Sequence, residues 1–121
     1  MEAFEMLLPR GSSRLRTVRH GLRRWLETHR LSEETNDAVV LATHEALALA
    51  IQGDTTTPDL LIRVRVDDDE VTVEIEDRAE RPDRRLESPT GGAATLIEAL
   101  VSRFEVRHDD RATTIRLAVP R

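Results

Sequence analysis

Leu41-Ala42-Thr43-His44-Glu45-Ala46-Leu47-Ala48-Leu49-Ala50-Ile51-Gln52-Gly53 reads as an apolar helix with one carboxylate in its middle. Apolar side chains lie on every side of this helix, a pattern typical of a helix that neighbours bury on more than one face. The exception, Glu45, is either paired with an arginine or directed to solvent, which is the commoner state of a carboxylate, or it belongs to a functional site.

The segments before this helix predict a strand and a second helix. Ala3 to Leu8 is a short run capable of forming a strand at a sheet edge or dimer edge. A helix is expected from about Ser13 to His29, and the next helix begins at Ser32, where acids follow in the first turn. The expected inward residues of the first helix are Leu15, Val18, Leu22, Trp25 and His29. Its other face carries Arg14, Arg16, Arg19, Arg23 and Arg24 against the single acid Glu27.

The segments after the apolar helix predict a sheet. Residues 60–66 and 71–76 alternate between apolar and charged side chains and form a hairpin, with Arg63 and Arg65 opposite Glu74 and Glu76. Residues 78–90 read as a surface loop and 93–101 as a third helix. Two further strands, Phe104 to His108 and Thr113 to Val119, complete the pattern. The fold class is therefore α+β, a two-layer sandwich with a mostly antiparallel sheet and three helices on one face.

Composition limits the classes of function. The 121 residues carry a net charge of −5, contain no cysteine and include no long apolar run, so we expect one domain over residues 1–121 that is cytoplasmic and has no affinity for membrane or nucleic acid. All the basic residues are arginine, which excludes a P-loop lysine and a Schiff-base lysine. The four histidines stand at no convincing metal-binding spacing, and we assign no metal site.

The order of elements and the local sequences resemble the GHKL, or Bergerat-fold, histidine kinase-like ATPases, specifically the bacterial anti-sigma-factor serine kinases. In that family the second helix carries Glu-x-x-x-Asn, the third strand ends in Asp-x-Gly-x-Gly, and Gly-x-Gly opens the third helix after a nucleotide lid. The resemblance spans almost the whole chain. It places Glu45 on the general base, Asp77 on the aspartate that reads adenine, and Gly91 on the first lid glycine.

Three positions depart from the family pattern. The Asn that coordinates Mg²⁺ is Leu49, four residues after Glu45 and on the same helix face, and leucine offers the ion no oxygen. The glycine-rich strand end reads Asp77-Arg78-Ala79-Glu80-Arg81, so side chains stand where glycines let backbone approach a nucleotide. The lid pair is Gly91 and Ala93, of which one glycine remains.

The remaining matches also have simpler interpretations. Asp77 at a strand end is a common turn former as well as a candidate adenine ligand. Gly91 and Gly92 can serve as a hinge before a helix. Glu45 can be a relic of the general base, because a base needs a positioned phosphoryl acceptor geometry that Leu49 undermines.

Two functions from different classes follow from the resemblance. The first is a regulatory module resembling an anti-sigma factor, which binds a sigma factor or an anti-sigma antagonist, has lost or weakened ATP binding, and forms a homodimer through Ala3 to Leu8. The alternative is an active ATP-dependent protein-serine kinase with Glu45 as base. No cofactor is expected unless the altered site still binds ATP and Mg²⁺. A nucleic-acid binder is disfavoured by the negative charge and the lack of stacking aromatics.

Overall fold

The computed structural model describes residues 3–8, 15–51, 60–77, 97–108 and 113–121. Within these ranges, five strands form one sheet in the order β1-β2-β3-β5-β4, and each neighbouring pair is antiparallel. The elements are β1 (Ala3–Leu8), α1 (Leu15–Glu27), α2 (Glu33–Ile51), β2 (Leu60–Val66), β3 (Glu70–Asp77), β4 (Arg103–His108) and β5 (Thr113–Pro120). Residues 97–100 are also helical. The predicted α+β sandwich, with helices on one face of an antiparallel sheet, is confirmed.

The inner face of the sheet is built from the alternating apolar residues of the three interior strands. Ile62 and Val64 of β2 pair with the buried Ile75 and Val73 of β3, which in turn pair with Ile115 and Leu117 of β5. Leu60 of β2 is also buried and pairs with Asp77. These side chains pack against Val18, Leu22 and Leu26 of α1 and Val39, Ala46 and Leu47 of α2. One continuous core therefore joins the sheet to both helices.

Helix α1 lies close to the edge strand β1. A methyl group added at Gly21 would meet Cε of Met6 at 3.3 Å, so the absence of a side chain permits this approach. The rings of Trp25 and Phe4 lie 5.8 Å apart, and those of Trp25 and His29 lie 4.2 Å apart with an interplanar angle of 54°. Val18, Leu22 and Leu26 of α1 are buried in the core, while Trp25 lies against Phe4 of β1.

The connection between α1 and α2 is a tight turn. Helix α1 ends two residues before the predicted His29, and Arg30 adopts a positive φ of 55°, a conformation common just after a helix. The hydroxyl of Ser32 accepts a hydrogen bond from the backbone N–H of Thr35 at 3.1 Å. Ser32 is therefore the N-cap of α2, as predicted.

The outer face of the sheet carries charged side chains. The row Glu5, Arg63, Glu74, Arg116 and Glu105 crosses the sheet from β1 to β4 with alternating sign. Within this row, Nε of Arg63 lies 2.9 Å from Glu5 and Nε of Arg116 lies 3.6 Å from Glu74.

The pairing predicted for the hairpin was half right. Arg63 does face Glu74, but Arg65 faces Thr72 and Glu76 faces Leu61. An antiparallel ladder runs in opposite directions along its two strands, so a residue two places later on β2 meets one two places earlier on β3. The predicted second pair was incompatible with the first.

The acidic turn between β2 and β3 is fixed by its own side chain and by the last residue. Oδ1 of Asp67 accepts hydrogen bonds from the N–H groups of Asp69, at 3.0 Å, and Glu70, at 2.8 Å. These two bonds hold the pKa of the Asp67 carboxyl below its ordinary value. Arg121 donates from Nη1 to the Asp67 carbonyl and from its backbone N–H to the Asp69 carbonyl.

The third predicted helix, Ala93 to Val101, is described only in part. Residues 97–100 are helical, Ile97 is buried, and Val101 lies just outside the helix. The predicted loop at residues 78–90 and the start of this helix lie outside the described residues. Among the helices that the structure describes, none is long and apolar enough to cross a membrane.

Candidate functional site

Helix α2 has one side that the sheet does not cover. Glu45 and Leu49 are half-buried on this side, and Leu41 has 40% of its surface exposed. The prediction that neighbours bury this helix on more than one face is confirmed, since its buried residues pack against both the sheet and α1. Glu45 and Leu49 lie one turn apart, so their side chains border the same surface.

Asp77 is the last residue of β3 and continues the inward stripe of Val71, Val73 and Ile75. Because side chains alternate along a strand, its carboxylate is on the helix-covered face of the sheet. In the sheet, Asp77 is paired with Leu60 of β2 on one side and with Thr113 of β5 on the other, and the side chains of all three lie on the same face. The carboxylate of Asp77 therefore lies at the rim of the layer between the sheet and the helices.

Thr113 was missed by the sequence reasoning. It is half-buried beside Asp77 and adds a hydroxyl to the same strand ends. The sequence carries no signal for this contact, since β5 follows β4 in the chain and its pairing with β3 becomes visible only in the sheet order. Gly91 and Ala93, the other two predicted nucleotide-contacting residues, lie outside the described residues.

The donor set on the open side of α2 does not suit a magnesium ion. Mg²⁺ requires oxygen ligands in near-octahedral geometry, and Leu49 supplies a hydrocarbon side chain one turn from Glu45. Across the described ranges, no group of three or more histidines, aspartates or glutamates could hold a metal ion. The described residues therefore do not fit the ion that the family resemblance implies.

Helix α2 also contains buried polar atoms that lack hydrogen-bond partners within the described structure. They are Oδ1 of Asn36, Oγ1 of Thr43 and Nδ1 of His44. Unsatisfied buried polar atoms usually cost free energy, of the order of 1–3 kcal/mol each. Helix α2 therefore has a well-packed core face and also three buried polar atoms whose missing hydrogen bonds lower the stability of the fold.

A groove of about 490 Å³ lies between α1 and α2. Its lining consists of Arg16, Arg19, His20, Arg23, Asp37, Val40, Leu41 and His44. Nη1 of Arg23 binds Oδ1 of Asp37 across the groove at 2.8 Å. The arginines of α1 therefore do not form one uniform face, because Arg24 is exposed outside the groove.

A second cleft, of about 820 Å³, lies between the first half of α2 and the helical segment that ends at Leu100. Its rim includes Glu33, Glu34 and Asp37, and its walls include Leu41 and Val119. Arg121 also lines this cleft and Asp37 is paired with Arg23, so Glu33 and Glu34 leave an acidic excess among the described lining residues, which disfavours a phosphate group. The two depressions beside α2 thus differ in charge.

The chain forms a two-layer α+β sandwich in which α2, the helix that carries Glu45, packs on an antiparallel sheet with the strand order given above. This architecture is of the histidine kinase-like type. The chain belongs to the histidine kinase-like ATPase domain family, whose sequence model matches residues 8–119. No curated protein sequence matches the chain significantly.

Solved structures share the fold. One is the crystal structure of the RsbU and RsbW domains of Rv1364c from Mycobacterium tuberculosis, which superposes with a TM-score of 0.78 at 22% sequence identity. The match covers 100% of this chain and 33% of that one, so the chain spans about a third of the length of the solved protein. At this identity the match shows the fold.

Proposed function

We propose that this chain is a regulatory module resembling an anti-sigma factor, which binds a sigma factor or an anti-sigma antagonist and has lost or weakened ATP binding. The proposal rests on one observation: a leucine, Leu49, lies one turn after Glu45 on the side of α2 that the sheet does not cover. Phosphoryl transfer depends on a positioned metal ion, so a hydrocarbon at the position of the metal ligand affects catalysis more than it affects the fold.

The intact hydrophobic core supports the proposal that the fold still serves a function. The buried residues of the three interior strands pack without a polar substitution on their inner face up to Asp77. A chain that retains its fold while a nucleotide-contacting position is altered is better suited to binding a protein than to transferring phosphate. The RsbW domain of Rv1364c shares this fold, and the expectation of a partner from sigma-factor regulation rests on the resemblance of the motifs to those of the anti-sigma-factor kinases.

The first test is calorimetric titration with ATP and ADP, with and without Mg²⁺, of the parent and a Leu49→Asn variant. We expect Mg²⁺ to leave the parent's affinity for ATP unchanged and to raise that of Leu49→Asn by about tenfold or more, because asparagine restores an oxygen ligand. The matched control is Ala48→Asn, which introduces the same amide one position away, where it points in another direction.

Clear Mg²⁺-dependent ATP binding by the parent would contradict the proposed loss. The alternative function, an active serine kinase, would then be favoured, with Glu45 and the inward carboxylate of Asp77 as its supporting residues. Glu45→Ala should abolish transfer to the partner in that case, and unchanged phosphorylation by this variant would exclude Glu45 as the base.

The proposal includes homodimerisation through β1. Strand β1 is at the edge of the sheet, and Leu7 on its outer side has 61% of its surface exposed. An exposed edge strand offers unpaired backbone groups to a second chain. Sedimentation equilibrium of the parent and a Leu7→Lys variant tests this, and a parent that remains monomeric at all concentrations would refute it.

A further inference from the structure

We infer that the groove between α1 and α2 is a docking site for an acidic amphipathic helix of a protein partner. The inference rests on the proposed function for the identity of the partner, and it adds the place and chemistry of binding. The groove runs beside two turns of each helix, from Arg16 to Arg23 on α1 and from Asp37 to His44 on α2. Two turns extend about 11 Å, which matches a short helical segment.

The charge of the groove selects an acidic occupant. Arg23 is neutralised by Asp37, the one acid among the described residues of the lining. Arg16 and Arg19 are exposed and form no ion pair with the described residues. Two uncompensated cations on one wall of a concave surface attract carboxylates and raise the rate of association with an acidic partner.

The floor of the groove supplies the apolar contact that a helix requires. Val40 and Leu41 lie side by side on α2, and Leu41 is one of two large apolar residues that the described structure leaves exposed. A helix with apolar residues at three- and four-residue spacing can seat these on Leu41, while its flanking acids reach Arg16 and Arg19. Nucleic acid fits less well, because no phenylalanine, tyrosine or tryptophan is among the described residues that line the groove.

The first experiment uses a defined probe, a synthetic 14-residue helix of leucine and glutamate at amphipathic spacing, with a scrambled peptide of the same composition. Heteronuclear NMR of the whole chain should show shifts of the amides lining the groove and of the His20 and His44 rings with the helical peptide. The inference is overturned if no amides shift, if the shifts lie outside the groove, or if the scrambled peptide causes equal shifts. A single-stranded oligonucleotide is titrated in parallel, and shifts with this probe alone would also overturn the inference.

Charge reversal then tests the two unpaired arginines. Arg16→Glu combined with Arg19→Glu should weaken peptide binding by about tenfold or more, and binding should fall with added salt. The matched control is Arg24→Glu, which makes the same change on the same helix outside the groove and should alter affinity by less than about twofold. Equal losses in both variants would refute a specific groove.

The same variants separate this inference from the proposed function. Sigma factors and antagonists encoded in the same genome are tested for binding to the parent and to each variant. If none binds the parent, the proposed function fails, and the peptide result alone decides the groove. If one binds the parent and the Arg16, Arg19 variant equally well, the proposed function stands and the groove is refuted.

Discussion

At the scale of single residues, burial on α1 differs from what helical spacing indicates. Of the expected inward residues, Val18 and Leu22 are buried and Leu15 packs against the core, whereas Trp25 and His29 are only half-buried. The fully buried residue at this end of the helix is Leu26. Helical spacing identifies an amphipathic helix, but the neighbouring elements, here α2 and β1, decide which residues lie at the centre of its buried side.

Leu26 therefore provides a test of the packing. Leu26→Ala should lower the free energy of unfolding by about 2–5 kcal/mol, since it leaves a cavity in a core that cannot collapse fully. Leu41→Ala, which removes the same atoms at a position with 40% of its surface exposed, should cost about 1 kcal/mol or less. Urea denaturation followed by Trp25 fluorescence measures both, and equal losses would mean that α1 does not pack as described.

The predicted nucleotide-contacting residues illustrate what a sequence can and cannot place. Glu45 and Leu49 were predicted on one helix face, and the structure has them there, because a spacing of four residues fixes this within any helix. The inward direction of Asp77 follows from strand parity. Its neighbour Thr113 could not be predicted, since the contact depends on a pairing between distant strands.

At the scale of elements, the β2–β3 hairpin was predictable, but of its two predicted charge pairs only Arg63 with Glu74 is confirmed. Alternation of apolar and charged residues identifies both strands and the acidic turn between them. The geometry of the turn determines which residues of the two strands face each other. Asp67 closes this turn, because its backbone N–H donates a hydrogen bond to the Glu70 carbonyl at 3.0 Å. The side-chain bonds of Asp67 then hold the turn in one conformation.

The ionised Asp67 should stabilise the protein in a pH-dependent way. Its pKa is lowered in the folded state, so its contribution is present above its unfolded pKa, about 3.8, and is lost as pH falls through the lower folded pKa. Asp67→Asn keeps an acceptor oxygen but removes the charge. We expect the parent to exceed this variant in urea midpoint at pH 7 and the difference to vanish in acid. A difference that grows in acid would contradict the assignment.

At the scale of the whole molecule, the sheet order is the feature that no local pattern revealed. The chain leaves β3, passes through the segment ending at Leu100, forms the far edge strand β4, and returns as β5 between β4 and β3. Hydrophobic alternation shows that a segment is a strand but does not state its neighbours. The alternating charge row on the outer face is a consequence of this order.

The charge row predicts different effects for two arginines of one strand. Arg63→Glu places three acids in line, with Glu5 and Glu74 on either side, and should lower the free energy of unfolding by about 1 kcal/mol or more. Arg65→Glu makes the same change two residues along the same face, where Ala3 and Thr72 are the neighbours, and should cost less. Thermal unfolding at low salt compares them, and a larger loss for Arg65→Glu would contradict the register.

The interior position of β5 has a consequence for synthesis on the ribosome. When a nascent chain has made β3, the free edge of that strand, with Val71, Val73 and Ile75 on one side, has no partner until residues 113–120 are translated. At 5–20 residues per second this interval lasts roughly 2–9 s. The helices and the first hairpin must wait for the last strand, so the complete fold forms only after that strand has left the exit tunnel, and chains stalled earlier expose an unpaired apolar edge to chaperones and to one another.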